Sequence, residues 1–152
     1  MRSSGGRLFV LGLASLVVGT GIAGCATATD TETDTETASG YHLVIRQDAR
    51  VLDEFDLARL GELPQTEIAT PQSHGSPVQR GPTVRAVLDA AGATGVRSVR
   101  FEGRDPAQTL AAADLTDQVV LSFTKRDTLK LAGTDLERDR WVRDVSALVV
   151  NP

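Results

Sequence analysis

The chain has 152 residues, 16 Lys and Arg against 20 Asp and Glu, and a formal net charge of -4. With no basic stripe to neutralise phosphates, a nucleic-acid partner is not expected. A single cysteine excludes an intrachain disulfide, and the scarcity of aromatic residues leaves the core to Val, Leu, Ile and Ala.

Arg2 and Arg7 precede a largely apolar run over residues 8–22, and small residues lead into Cys25. This is the layout of an export signal. The run is short for a spanning helix, which needs about 20 apolar residues. The string Ile22-Ala23-Gly24-Cys25 looks like a bacterial lipobox. Residues 1–24 are therefore expected to be a lipoprotein signal peptide, cleaved before a lipidated Cys25. An uncleaved N-terminal anchor is the alternative. Either arrangement places the chain from Tyr41 onward outside the cytoplasmic membrane, at the cell surface or in the periplasm. Two or three acyl chains on Cys25 would anchor it stably to membrane lipid.

Residues 25–40 hold the lipidated cysteine and an acidic, Thr-rich tether, ATATDTETDTETASG, with no large apolar residue. Such a segment buries too little surface to offset its ordering entropy, and its carboxylates favour extension. Residues 41–152 remain for one small domain.

In chain order, residues 41–46 are rich in aliphatic side chains and predict a first strand. Residues 56–60 predict a short helix capped by Asp56 and stopped by Gly61. Residues 65–70 predict a strand ended by Pro71, and residues 72–82, with two glycines and two prolines, a loop or hairpin. Residues 83–91 carry the clearest helical pattern: Thr83 as cap, Val84, Val87 and Leu88 on one face, Gly92 as terminator. Residues 96–101 predict a strand, with residues 108–111 as its hairpin partner. Residues 114–118 predict a turn or short helix, residues 119–124 a buried strand, and residues 129–131 and 145–150 closing strands. Many short strands with few helices predict an α+β domain built on a compact mixed sheet.

His42 and His74 lack metal-ligand spacing, so no metal site is expected. Ser73-His74 lacks a nucleophile elbow, so loop polar groups bonding local backbone are expected instead. Gly92 to Gly95 follows a helix rather than opening one and predicts a cap and turn, not a phosphate loop. Residues 135–144, DLERDRWVRD, place Arg138, Arg140 and Arg143 around Trp141. These arginines are candidates for an anion site. The expectation preferred over it is a solvated turn with Trp141 packed inward, its arginines partly neutralised by Asp135, Glu137, Asp139 and Asp144.

Several strings in order resemble the oxidoreductase molybdopterin-binding domain, the sulfite-oxidase-type fold, in a small bacterial lipoprotein version. They are FDLARLGEL over residues 55–63 with PQTE after it, RGPTVRAVLDAAGA over 80–93, VRSVRFEG over 96–103 and DRWVRDV over 139–145. The resemblance covers most of residues 41–150. It implies a sulfite-oxidase-like α+β fold with few short helices. It also implies a cofactor pocket whose nearest counterparts here are Ser73, His74, Arg140 and Arg143.

Members of that family bind molybdenum through a cysteine thiolate after the strand that residues 65–70 resemble. Residues 70–75 here are TPQSHG, without cysteine. Serine oxygen is not an equivalent soft ligand, and the Cys25 sulfur would be in a thioether. The expectation is therefore a membrane-anchored, non-catalytic binding or interaction module with no bound cofactor and an envelope protein as possible partner. A further, purely structural reading is a surface protein whose partner contacts fall on residues 72–82. The alternative is a molybdopterin-dependent oxidoreductase, or an accessory redox subunit, that still binds a pterin cofactor.

Overall fold

A computed structural model of the protein describes residues 40–152. The expected signal peptide, Cys25 and the tether through residue 39 lie outside the described residues.

β1 (His42–Gln47) and β2 (Arg50–Asp56) form an antiparallel hairpin. The two turn residues, Asp48 and Ala49, both have left-handed φ, 51° and 61°, as a two-residue hairpin turn with the strand twist demands. The sequence pattern assigns no element to β2. Its residues are exposed apart from partly covered Asp53 and buried Phe55, and as an edge strand it is held by main-chain pairing rather than by apolar alternation.

α1 (Leu57–Glu62) follows, and Asp56 caps it by accepting from Arg59 N at 2.7 Å. Gly61 does not stop this helix but lies inside it. The stop is extended Leu63, whose conformation Pro64 enforces. β3 (Gln65–Ala69) pairs antiparallel with β4 (Val78–Pro82). Of the loop or hairpin expected over residues 72–82, the structure has the hairpin, with the connecting loop in the first half and β4 in the second. α2 (Val84–Ala90) starts as expected, with Thr83 Oγ1 accepting from Ala86 N at 3.1 Å. Gly92, at φ 72°, closes it.

β5 (Ser98–Glu102) and β6 (Gln108–Ala111) form the expected hairpin. A 3-10 turn, Ala112–Asp114, precedes the turn expected over 114–118, which falls at residues 117–118. β7 (Val119–Phe123), β8 (Leu129–Gly133), a 3-10 turn at Arg138–Arg140, β9 (Val142–Arg143) and β10 (Ala147–Val150) complete the chain.

The strands form three sheets, ordered β2-β1-β10-β5-β6, β3-β4 and β7-β8-β9. Among the described residues only the β1–β10 pair is parallel. The protein is a sheet-rich mixed α+β domain with few short helices. One core joins the parts: Leu43, Ile45, Phe55, Phe101 and Leu148 of the large sheet cluster with Val84, Val87, Leu121, Leu131 and Val142. β4 crosses close over β7, and a lone bridge between Thr83 and Val120 extends the contact. That crossing fixes one wall of the cleft described next.

Candidate functional site

The β7-β8-β9 sheet turns two different faces outward and inward. Its register aligns Leu121, Leu131 and Val142 in one row, all fully buried. The neighbouring row is Ser122, Lys130 and Arg143. Because side chains alternate across a strand, this polar row lies on the opposite face from the leucines. All three of its residues line a cleft of about 1070 Å³. β4 forms a second wall through Val78, Gln79 and Arg80, and the 73–76 loop, Asp105 and Arg138 form the rim.

The floor is held by hydrogen bonds. Ser122 is 2% exposed and Gln79 6%. Ser122 Oγ donates to Gln79 Oε1 at 3.0 Å, and Gln79 Nε2 donates to the Ser76 carbonyl at 2.7 Å. Trp141 Nε1 donates to the Leu136 carbonyl at 3.0 Å. Gln72 Nε2 reaches the carbonyls of Gly133, Thr134 and Leu136, so the 70s loop and the segment leading to Arg138 are tied together.

The cleft's charge contrasts with the acidic chain. Arg80, Lys125, Lys130, Arg138 and Arg143 line it, against the carboxylates of Asp105 and Asp139. Arg143 is engaged: Nε donates to Asp105 Oδ2 at 2.9 Å and Nη2 to Oδ1 at 2.6 Å. These bonds hold the Asp105 carboxyl below its usual range. Among the described residues the other four cations make no ion pair. Lys130 instead rests on an aromatic face, with Nζ 5.0 Å from the centroid of the Trp141 ring. Partial burial pushes its ammonium pKa down.

Of the candidate site residues named from the sequence, Ser73, His74, Arg138 and Arg143 line this one cleft. Arg140 does not; its Nη2 donates to the Thr109 carbonyl at 3.1 Å. Ser73 Oγ accepts from Gly75 N at 3.3 Å, the local loop bonding expected of it. Of the acidic neighbours expected to neutralise the arginines in part, Asp144 acts on Arg143 through charge alone. Asp144 faces Arg126 at 3.1 Å and Arg104 at 3.8 Å, while the partner of Arg143 is Asp105, 38 positions away. Trp141 packs inward, 9% exposed.

Arg80, Lys125, Lys130, Asp105 and the Ser122–Gln79 floor were not singled out from the sequence. One signal was available for the lysines. They are the only two in a chain with 16 basic residues, and both line the cleft.

The cleft offers nitrogen and oxygen donors. No cysteine is among the described residues, and none of their His, Asp and Glu side chains form a group of three or more able to hold a metal. Chemically the arrangement suits an anion held by guanidinium and ammonium groups above a polar floor. Among the described residues no helix is long and apolar enough to cross a membrane. No protein-family model matches the chain, and no curated protein matches it significantly.

Proposed function

We propose that this protein is a lipid-anchored, extracytoplasmic binding module whose cleft takes a small anionic ligand and that carries out no redox catalysis. The carrying observation is the set of four cations around one cleft of an acidic chain that have no ion-pair partner among the described residues. Unneutralised cations converging on a concavity of ligand size are better accounted for by an absent anion than by fold stability. The anchor rests on the lipobox-like string at Cys25, and the sulfite-oxidase-type fold on the order of the resembling strings.

Trp141 is the only tryptophan of the chain and lines the cleft, so its emission reports occupancy. Titrating the full chain in detergent with inorganic phosphate, then with an organic phosphate, is expected to give a saturable change that weakens with added salt. Replacing Arg80 and Arg138 together by Gln should weaken binding at least severalfold. No saturable response to either anion would end this reading. Acyl labelling in a bacterial host tests the anchor: wild type should take up label and Cys25→Ser should not.

The convergence of Ser73, His74 and Arg143 favours one second reading, the molybdopterin-dependent oxidoreductase or accessory redox subunit. The donor set does not fit a molybdenum centre of the resembled kind, because the soft thiolate has no counterpart in the cleft. Pterin fluorescence in denatured protein from a host that makes the cofactor separates the readings. Stoichiometric pterin would decide for the second; its absence would remove it.

A further inference from the structure

The chain satisfies its need for positive charge almost entirely with arginine. Only Lys125 and Lys130 depart from this, and both face the cleft. The two cations differ chemically, since a guanidinium keeps its proton in proteins whereas an ammonium can lose one and become a nucleophile. Lys125 is exposed in the turn after β7. Lys130 sits mid-strand between fully buried Leu129 and Leu131, with Ser122 and Arg143 as cross-strand neighbours. Its Nζ lies 5.0 Å from the Trp141 ring centroid, a contact that favours the ammonium, and among the described residues no carboxylate is within ion-pair distance. Of the cleft's carboxylates, Asp105 is occupied by Arg143. Apart from Asp139 and His74, the remaining titratable groups around the cleft, Arg80, Lys125, Arg138 and Arg143, are cationic. Partial burial is the cause that lowers the Lys130 pKa, and desolvation in an apolar setting activates lysine amines.

We infer that Lys130 is a covalent capture site for anionic ligands that carry an aldehyde or ketone. This rests on the anion-binding reading and specifies its ligand class. The cleft cations gather the anionic group, and the unprotonated fraction of the Lys130 amine adds to the carbonyl carbon. The carbon–oxygen π bond breaks to give a carbinolamine. Loss of water, which takes the carbonyl oxygen and both amine hydrogens, leaves a neutral imine. No electrons are gained or lost.

The test uses the full chain with glyoxylate as anionic probe, acetaldehyde as neutral control and cyanoborohydride to fix any imine. Peptide mass spectrometry then compares the two lysines. Lys130 should be labelled by glyoxylate severalfold faster than Lys125, excess phosphate should suppress that labelling, and acetaldehyde should show a smaller preference. Lys130→Arg should abolish the label at position 130. Labelling of Lys130 no faster than Lys125 overturns the covalent step. If phosphate still changes Trp141 emission in that case, the anion cleft survives and only the capture fails. Equal preference with both aldehydes, unaffected by phosphate, overturns the anionic ligand class and the cleft reading with it.

Discussion

Gly81 of β4 lies directly against the carbonyl oxygen of Leu121 in β7. A Cβ at position 81 would overlap that oxygen and stand 2.7 Å from the Leu121 carbonyl carbon and 3.0 Å from Ser122 Cα. These are backbone atoms, which have no rotamer to retreat into. The absence of a side chain therefore sets how closely the two small sheets approach. Gly81→Ala is expected to destabilise the domain by about 2–3 kcal/mol. It should also displace Ser122 from the cleft floor. Urea unfolding followed by Trp141 emission measures the first effect, and a wild-type midpoint would contradict the close approach.

The Ser122–Gln79 bond lies at the same crossing, buried and 3.0 Å long. Ser122→Ala leaves the buried Gln79 oxygen without its donor and should cost about 1–2 kcal/mol. Adding Gln79→Leu removes the orphaned group and should recover part of that loss. Strict additivity of the two substitutions in a double-mutant cycle would mean that the bond contributes nothing.

Local signals carried the elements whose ends have chemical causes. Asp56 and Thr83 cap the helices they were expected to cap, and Gly92 closes α2. β2 escaped because an edge strand with one buried side chain has no apolar period to find. The cleft was partly legible. Ser73, His74, Arg138 and Arg143 reach it, and Arg140 does not. Residues two apart in a 3-10 turn point in different directions, with three residues to each turn, and a charge run alone does not say which arginine faces inward. The Asp105–Arg143 pair spans 38 positions. It depends on how β5 and β9 are brought together, for which no local pattern stands.

Asp105 decides whether Arg143 is available to a ligand. Asp105→Asn removes the neutralising charge, so anion affinity should rise severalfold and become more sensitive to salt. The same pair predicts an acid dependence. The hydrogen bonds from Arg143 lower the folded-state pKa of Asp105, and Arg59 does the same for Asp53. A carboxylate lowered on folding adds stability above its unfolded value of about 3.9 and loses it as the pH falls through the folded value. Urea midpoints should therefore drop between pH 6 and pH 3, and drop less in the Asp105→Asn variant. Both pairs are solvent-exposed, so the difference will be small. Identical acid profiles would show that the Arg143 contact does not persist in solution.

Asp144 combines a backbone role with a charge role, and substitution separates them. Its φ is 51°, in the left-handed region. Its carboxylate accepts from Thr128 Oγ1 at 2.8 Å and from Arg126 Nη2 at 3.1 Å. It thereby joins the β7–β8 turn to the end of β9, beside Arg143. Asp144→Asn keeps a residue type that tolerates left-handed backbone and an oxygen that can accept from Thr128, losing only the charge. With the ion pairs exposed, this should cost less than about 1 kcal/mol. Asp144→Ala loses the acceptor and places an alanine in the left-handed region, so about 2 kcal/mol is expected. Equal losses in the two variants, read from urea midpoints, would mean that charge rather than turn geometry holds β9 in place. Arg143 would then owe its position in the cleft to the Arg126 and Arg104 pairs, and high salt should loosen it even in the wild-type chain.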